Sequence, residues 1–361
     1  MADLEADVAI VGGGVAGLSA GAFLADAAQV VLLEAEEALG YHASGRSAAL
    51  YEESYGKPEV NELARASRPV FDELGVLSPR GFMMIVPRGE EERHAEEAAD
   101  PRLEEIGLDE ALAWVPILRR EAIGRVLVHR GAMDIDTDRL LQSYARRLRQ
   151  GGGTILTRAP VEAIARSGGR WELRTPQGTV AAPVVIDAAG AWADRVAALA
   201  GLEPLGITPY RRSIARTPAP GGHDVSGWPM LFGAGESWYA KPDAGAWLIS
   251  PAEEDPVEPH DAWADDMVLA EGIDRYQAFV TEEVTRVLTS WAGLRSFAPD
   301  RLLVLGADPA APGFFWSAGQ GGYGMQTSAA AGRLVADLVA GRPPALPPDL
   351  VAAFDPARLR R

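Results

Sequence analysis

Six residues near the N-terminus, Gly12-Gly13-Gly14-Val15-Ala16-Gly17, have the spacing to cradle a phosphate. Gly12, Gly14 and Gly17 fit the pattern G-x-G-x-x-G. The first glycine lets the chain turn sharply out of a strand. The second lets the backbone approach a pyrophosphate, and the third lets a helix pack closely on a sheet. The N-terminus of that helix then offers free N–H groups and a partial positive charge to the phosphates. The motif follows an apolar run, Val8–Val11. Glu34 closes the next one, Val30–Leu33, where a carboxylate is expected to bond a ribose hydroxyl. The triplet predicts a bound dinucleotide without separating FAD from NAD.

Three later stretches favour FAD. The loop Gly40-Tyr41-His42-Ala43-Ser44-Gly45-Arg46-Ser47-Ala48-Ala49 offers small residues and one arginine for a chain threading past a flavin and its pyrophosphate. Val184–Trp192 reads as a buried strand ending in a small-residue turn that contains Gly190. Gln320-Gly321-Gly322-Tyr323-Gly324-Met325-Gln326 opens a long helix, whose dipole can stabilise negative charge on a reduced flavin. No second G-x-G-x-x-G appears mid-chain, and the sequence has no cysteine. Both facts argue against a nicotinamide-dependent flavin reductase.

These motifs need elements to carry them. Residues 7–34 read as strand, glycine turn, helix and strand, the opening unit of a dinucleotide fold. Helices are expected over Asn61–Leu74, Glu90 to about Ala113, Asp138–Gln150, Glu271–Leu288 and Tyr323–Ala340. Strands are expected over Gly81–Val86, Thr154–Leu156, Trp171–Thr175, Val184–Ile186, Leu302–Gly306 and Phe314–Ala318. Tyr210–Arg216 and Trp238–Ser250 read as strands of a second, mixed sheet. The proline-rich tail after Arg342 reads as a surface terminus.

Composition narrows the function further. The 361 residues carry a formal net charge of -17, which repels nucleic acid and anionic lipid. Without cysteine there is no disulfide, no thiolate metal site and no thioether tether for a flavin. The five histidines, His42, His94, His129, His223 and His260, lack the paired spacing of a metal site. Val8–Ala25 is an uncharged run of 18 residues, but Asp3, Glu5 and Asp7 precede it where a signal peptide needs positive charge. It is read as strand, turn and helix, with no transmembrane segment. The expected location is cytoplasmic, with peripheral attachment at a membrane as an option.

At this point the chain resembles the D-amino acid oxidase superfamily of FAD-dependent flavoproteins, and within it D-arginine dehydrogenase and related D-amino acid dehydrogenases. The resemblance rests on Gly40–Ala49, Gly131–Asp138, Ala188–Trp192, Lys241–Gly245, Trp291–Phe297 and Gln320–Ala330. It implies that Arg212 and Arg295 bind a substrate carboxylate, flanked by Tyr55 and Tyr239. The Gly322 carbonyl takes the substrate amine. It further implies FAD contacts from Ala16, Glu34, Ala35, Ala43, Ser44, Gly45, Arg46, Ser47, Ala48, Ala49, Leu50, Val161, Gly321, Gly322, Tyr323, Gly324, Met325 and Gln326. Where the D-arginine enzyme has a glutamate facing the substrate's guanidinium, Phe82 stands here. A histidine of its active-site loop is matched by Leu50. Both changes make the pocket more apolar, while Glu52, two residues on, adds an acidic group.

The expected fold is α/β, with a discontinuous Rossmann-like FAD-binding domain (1–77, 132–204 and 293–361) and a smaller α+β substrate domain with a mixed sheet (78–131 and 205–292). The expected reaction is oxidative deamination of D-amino acids with apolar or aromatic side chains. Hydride passes from Cα to N5 of non-covalently bound FAD, and the imino acid hydrolyses to a 2-oxo acid and ammonia. Oxygen or a quinone then takes the electrons. A glycine-, sarcosine- or other secondary-amine oxidase is the alternative enzyme. A flavin-binding subunit of a larger complex is the alternative without activity of its own.

Overall fold

The computed structural model describes residues 3–360. An open sheet of six strands has the order Thr154–Leu156, Val30–Leu33, Val8–Val11, Val184–Asp187, Phe314–Ala318, Val304–Ala307. The first five are parallel and the last is antiparallel. Val8–Val11 and Val30–Leu33 are buried at every residue, as a parallel sheet covered on both faces requires. Helix Val15–Leu24 leaves the first strand through the glycine turn and packs against the long helix Gly324–Val339. Small residues are frequent in both helices, and a Cβ on Gly332 would lie 2.6 Å from Ser19 Cβ, so the two approach closely.

A second, larger sheet is mixed. Phe82–Pro87 and Met230–Gly233 run parallel, and its other neighbours are antiparallel. Its two faces do different work. Met83, Ile85, Val126, Val128, Leu231, Ala240, Trp247 and Ile249 bury into one core cluster. Side chains alternate between faces along a strand, so Phe82, Met230, Phe232 and Tyr239 point the other way, as does His129, the direct cross-strand partner of Phe82. On the strand Thr208–Pro218, Arg212 pairs with Gly293 of Thr289–Phe297, and Tyr210 pairs with Arg295. Arg212 and Arg295 are therefore diagonal neighbours on one face.

A small third sheet joins these parts. Leu50–Tyr51 pairs with Met133–Ile135, which pairs with Leu77–Pro79. Asp134, in its middle strand, takes Arg80 at 2.7 Å and Lys241 at 2.6 Å, and Lys241 Nζ also donates to the Ala49 carbonyl at 3.1 Å. Lys241 belongs to the large sheet, so this ion-pair cluster ties the loop before Leu50 to that sheet.

Four sequence expectations need correction. Glu90–Ala113 is not one helix. It forms turns, a single 3-10 turn at Glu97–Ala99, a strand at Glu104–Ile106 and a helix only at Leu108–Trp114. Its clustered glutamates repel and Pro101 breaks the run. The helix expected at Glu271–Leu288 is Asp266–Gln277, started by the Asp265 side chain, which accepts from the N–H groups of Met267 and Val268. Beyond it, β-branched Val280, Thr281, Val284 and Thr285 disfavour helix. Trp238–Ser250 divides into Tyr239–Asp243 and Ala246–Ser250, joined at Ala244-Gly245, where both residues have positive φ. The tail is docked rather than loose. Pro348–Phe354 is a helix that buries Leu350 and Phe354, and Arg358 pairs with Asp300. Among the described residues no helix is long and apolar enough to cross a membrane.

The docked tail makes a testable claim. Phe354 is 0% exposed in the same core cluster as Leu303 and Leu305. Phe354→Ala should lower unfolding free energy by about 3 kcal/mol through transfer and cavity terms. Denaturant unfolding of the holoprotein checks it, and a loss below about 0.5 kcal/mol would mean that the tail is not packed.

Candidate active site

The glycine turn is built as the spacing requires. Gly12 has φ +109, and a Cβ there would lie 2.4 Å from the Ala188 carbonyl oxygen. A Cβ on Gly17 would lie 2.0 Å from the carbonyl oxygen of Gly12, so the helix can start only against a bare backbone. Glu34 sits below the turn. Its carboxylate accepts from the N–H of Gly13 at 2.7 Å and of Glu36 at 2.8 Å. Ser44 Oγ accepts from the N–H of Val15 at 2.9 Å, which caps the helix from the loop.

A trench runs from this turn in three joined cavities. The first, ≈ 420 Å³, is lined by Gly12, Gly14, Glu34, Ala35, Ala43, Ser44, Arg46, Val161 and Gly190. Gly14, Ala43, Ser44, Arg46 and Gly190 continue into the second, ≈ 150 Å³, with Ala16, Ser47, Ala48, Gly321, Gly322, Gly324 and Met325. The third, ≈ 100 Å³, shares Arg212, Arg295, Tyr239 and Gly322 with the second and adds Ala49, Leu50, Glu52, Tyr55, Phe82 and Gln326. An extended dinucleotide fits the first two. Gln320 Nε2 lies in the wall of the second, buried and without a hydrogen-bond partner in the protein, and a bound cofactor would satisfy it. The N-terminus of Gly324–Val339 opens on the same cavity. Of the expected cofactor residues, Gly17, Gly45 and Tyr323 stand outside the trench lining. Gly17 and Gly45 serve backbone packing, and Tyr323 packs on Tyr55 with ring centroids 5.3 Å apart. Burial pushes the Tyr323 phenol up to about 12.

Arg46, which lines both of the first two cavities, also holds its own loop in place. Its guanidinium donates to the carbonyls of Tyr41, Ala262 and Ala292 and pairs with Asp261 at 2.5 Å. It pins the loop to the strand Thr289–Phe297. Asp187 ends the central strand wholly buried, and burial pushes its carboxyl well above the usual carboxylate range. Its Oδ1 accepts from the N–H of Ala189 at 3.1 Å, which holds the small-residue turn.

At the far end of the trench, Arg295 Nη1 donates to the Tyr55 hydroxyl at 3.0 Å. A Cβ on Gly322 would meet Arg295 Cζ at 3.2 Å, so a bare residue leaves the guanidinium room. Arg212 is 5% exposed. Its Nε donates to the Glu253 carbonyl at 2.9 Å, and Glu254 lies at 3.4 Å. Burial and then the like charge of Arg295 disfavour the Arg212 guanidinium. Arginine keeps its charge regardless, so an anion set between the two is favoured. Leu50, Phe82, Met230 and Phe232 line the same third cavity, with the Phe82 and Phe232 rings 5.3 Å apart. The structure thus brings Tyr55, Arg212, Tyr239, Arg295, Gly322, Leu50, Glu52 and Phe82 to one cavity.

Sequence reading passed over His129, whose Nδ1 meets Glu52 Oε2 at 2.5 Å, and the Arg80–Asp134–Lys241 cluster. No local spacing marks His129, because its partner is 77 positions away.

The comparisons agree with this geometry. Residues 7–338 match the family model described as FAD dependent oxidoreductase, and the chain belongs to that family. It is an FAD-dependent oxidoreductase. Glycine oxidase of Geobacillus kaustophilus (strain HTA426) is 29% identical over 359 residues, covering 92% of each chain. The crystal structure of glycine oxidase from Geobacillus kaustophilus superposes with a TM-score of 0.81 at 27% identity over 98% of each chain. L-proline dehydrogenase from P. horikoshii shares the fold, with a TM-score of 0.83 at 19% identity, covering 99% of this chain and 98% of that one. D-amino acid dehydrogenase of Paramagnetospirillum magneticum is 46% identical over a short stretch of 59 residues, 16% of this chain and 14% of its own length.

The cofactor should be held without a covalent bond. Acid precipitation of the yellow protein should leave FAD in the supernatant. Flavin retained on the washed precipitate would contradict this.

Proposed function

We propose that the chain oxidises D-amino acids with apolar or aromatic side chains to 2-oxo acids and ammonia. The observation that carries this reading is the make-up of one small cavity, which joins two guanidiniums and two phenols to the apolar side chains of Leu50, Phe82, Met230 and Phe232. Bound FAD supplies a two-electron acceptor. Arg295 and Arg212 hold the substrate carboxylate, a planar anion matched to a guanidinium fork. Tyr55 and Tyr239 flank that carboxylate, and the Gly322 carbonyl accepts from the neutral amine. Fixing these groups orients Cα and its hydrogen, which is how the protein contributes to rate. The substrate loses two electrons and two protons to become an imino acid. Water then adds to the imine carbon and ammonia leaves. No side chain is required as a general base. In this reading 1–77, 132–204 and 293–361 hold the cofactor, and 78–131 with 205–292 cover it. Oxygen or a quinone reoxidises the flavin.

A second reading, oxidation of glycine or sarcosine, has the Geobacillus glycine oxidase in its favour, whose similarity runs through 92% of the chain. Anaerobic bleaching of the flavin by D-phenylalanine, D-leucine, D-alanine, glycine and sarcosine separates the two. Turnover by the isolated chain with an artificial acceptor excludes an inactive subunit.

Arg295→Met should retain flavin and lose about 2–5 kcal/mol of carboxylate binding, roughly 30- to 4,000-fold in kcat/KM. A near-normal kcat/KM would remove Arg295 from the site. Phe82 offers a cationic side chain only a weak aromatic attraction. An apolar side chain gains about 25 cal/mol for each Å² it buries. D-phenylalanine, D-leucine and D-methionine should therefore exceed D-arginine and D-lysine in kcat/KM, and Phe82→Glu should raise D-arginine selectively. Wild-type preference for D-arginine would sink the assignment.

A further inference from the structure

The distal wall of the substrate cavity holds a carboxylate among apolar groups. Glu52 is 8% exposed and lines the cavity beside Leu50 and Phe82. Both of its oxygens are engaged. Oε1 accepts from Ser54 Oγ at 2.6 Å and from the Ser54 N–H at 3.2 Å, while Oε2 meets His129 Nδ1 at 2.5 Å. The Glu52 backbone is fixed as well, its N–H donating to Gln326 Oε1 at 3.1 Å. His129 is the direct cross-strand partner of Phe82, so imidazole and phenyl ring stand side by side on the face toward the cavity.

We propose that His129 is a specificity-determining residue: as the counter-ion of Glu52 it keeps the distal wall neutral, and when it gives up its proton the wall turns anionic and admits cationic side chains. The inference rests on the amino-acid reading above. A bare carboxylate at this depth would attract an ammonium or guanidinium group. An ion pair already closed at 2.5 Å presents no net charge to one.

The surrounding charges leave this pair in control. Asp100 and Arg102 face it from the neighbouring loop, but the Arg102 guanidinium donates two hydrogen bonds to the Asp100 carboxylate, and together they add no net charge. Glu53 accepts from the Tyr51 hydroxyl, and Arg130 turns away to Glu104 and Glu110. The hydrogen bond that His129 donates to the Glu52 carboxylate holds the imidazolium above the ordinary imidazole range, outweighing burial. Burial of Glu52 is outweighed by its bonds from His129 and Ser54, which hold it below the usual carboxylate range. Between the two titrations the pair is closed and neutral. Above the His129 titration one negative charge remains on Glu52. Cation preference must therefore rise with pH.

D-Norleucine and D-lysine provide the test, because their side chains differ by one terminal ammonium, which stays charged to about pH 10. The ratio of their kcat/KM values on the holoenzyme, lysine over norleucine, cancels the titration of the shared α-amino group. From about pH 6 to 9 it should rise about tenfold in the wild type, stay flat in Glu52→Gln, and be high at every pH in His129→Gln. The double variant should match Glu52→Gln. A flat wild-type ratio, a measurement that needs no variant, would overturn the proposal, as would a His129→Gln ratio equal to wild type. Hexanoate and 6-aminohexanoate form a second pair, read from their perturbation of the flavin spectrum and independent of turnover. If no D-amino acid is oxidised, the reading of function fails, yet selective tightening of 6-aminohexanoate with pH still upholds His129. Equal affinities for the two acids at all pH values would reject it.

Discussion

Two guanidinium groups occupy one face of one sheet, Arg212 buried and Arg295 half-buried in the cavity wall, and they are diagonal neighbours across the pairing of Thr208–Pro218 with Thr289–Phe297. Like charges placed so close, and so poorly solvated, cost free energy in the folded protein. Glu253, through its carbonyl, and Glu254 offset part of that cost for Arg212, and the Tyr55 hydroxyl accepts from Arg295. An anion in the cavity offsets more. The need for a carboxylate is thus built into the register of two strands. Sliding one strand by a single residue would turn one arginine toward the opposite face of the sheet.

That register is of use only if the cofactor trench ends at the same place, and the loop 40–55 makes the join. It runs from the phosphate-binding turn, capped by Ser44, to Tyr55 at Arg295. A chain of small residues would wander in solution. Here Arg46 fastens its middle to Ala262, Ala292 and Asp261, and Lys241 fastens Ala49 to the Asp134 cluster. Both anchors come from the large sheet or its immediate surroundings. The surface that holds the substrate therefore also sets the path of the segment that lines the cofactor, and rigid support of this kind is what precise placement of reacting atoms requires.

Local pattern made much of this visible in advance. The strands Val8–Val11 and Val30–Leu33, the glycine turn and Glu34 lie within a stretch where periodicity and spacing act at short range. The resemblance then supplied Tyr55, Tyr239, Arg212 and Arg295, which no spacing connects, and the structure gathers them in one cavity. What stayed hidden depends on pairing between distant segments. Ile123–His129 and Thr289–Phe297 are strands because partners lie beside them, and their composition alone did not distinguish them from loop. Glu90–Ala113 failed in the opposite direction, since helix propensity without an apolar stripe gives no face to bury. The tail failed for a related reason, as Leu350 and Phe354 are too few to suggest a core contact until the sheet they cover is in place.

The same distinction separates Phe82 from Glu52. Phe82 makes the pocket apolar by its own chemistry, and a sequence states that directly. Glu52 contributes an acid in the sequence and neutrality in the fold, because His129 and Ser54 close on it from elements that only tertiary structure brings together. One stretch of a pocket wall can thus lack net charge in two physically different ways. One is fixed by composition, and the other is held by a single proton on an imidazole. The first is constant across pH, whereas the second lasts only while that proton stays bound, so the charge at this wall belongs to the pair and not to the carboxylate alone.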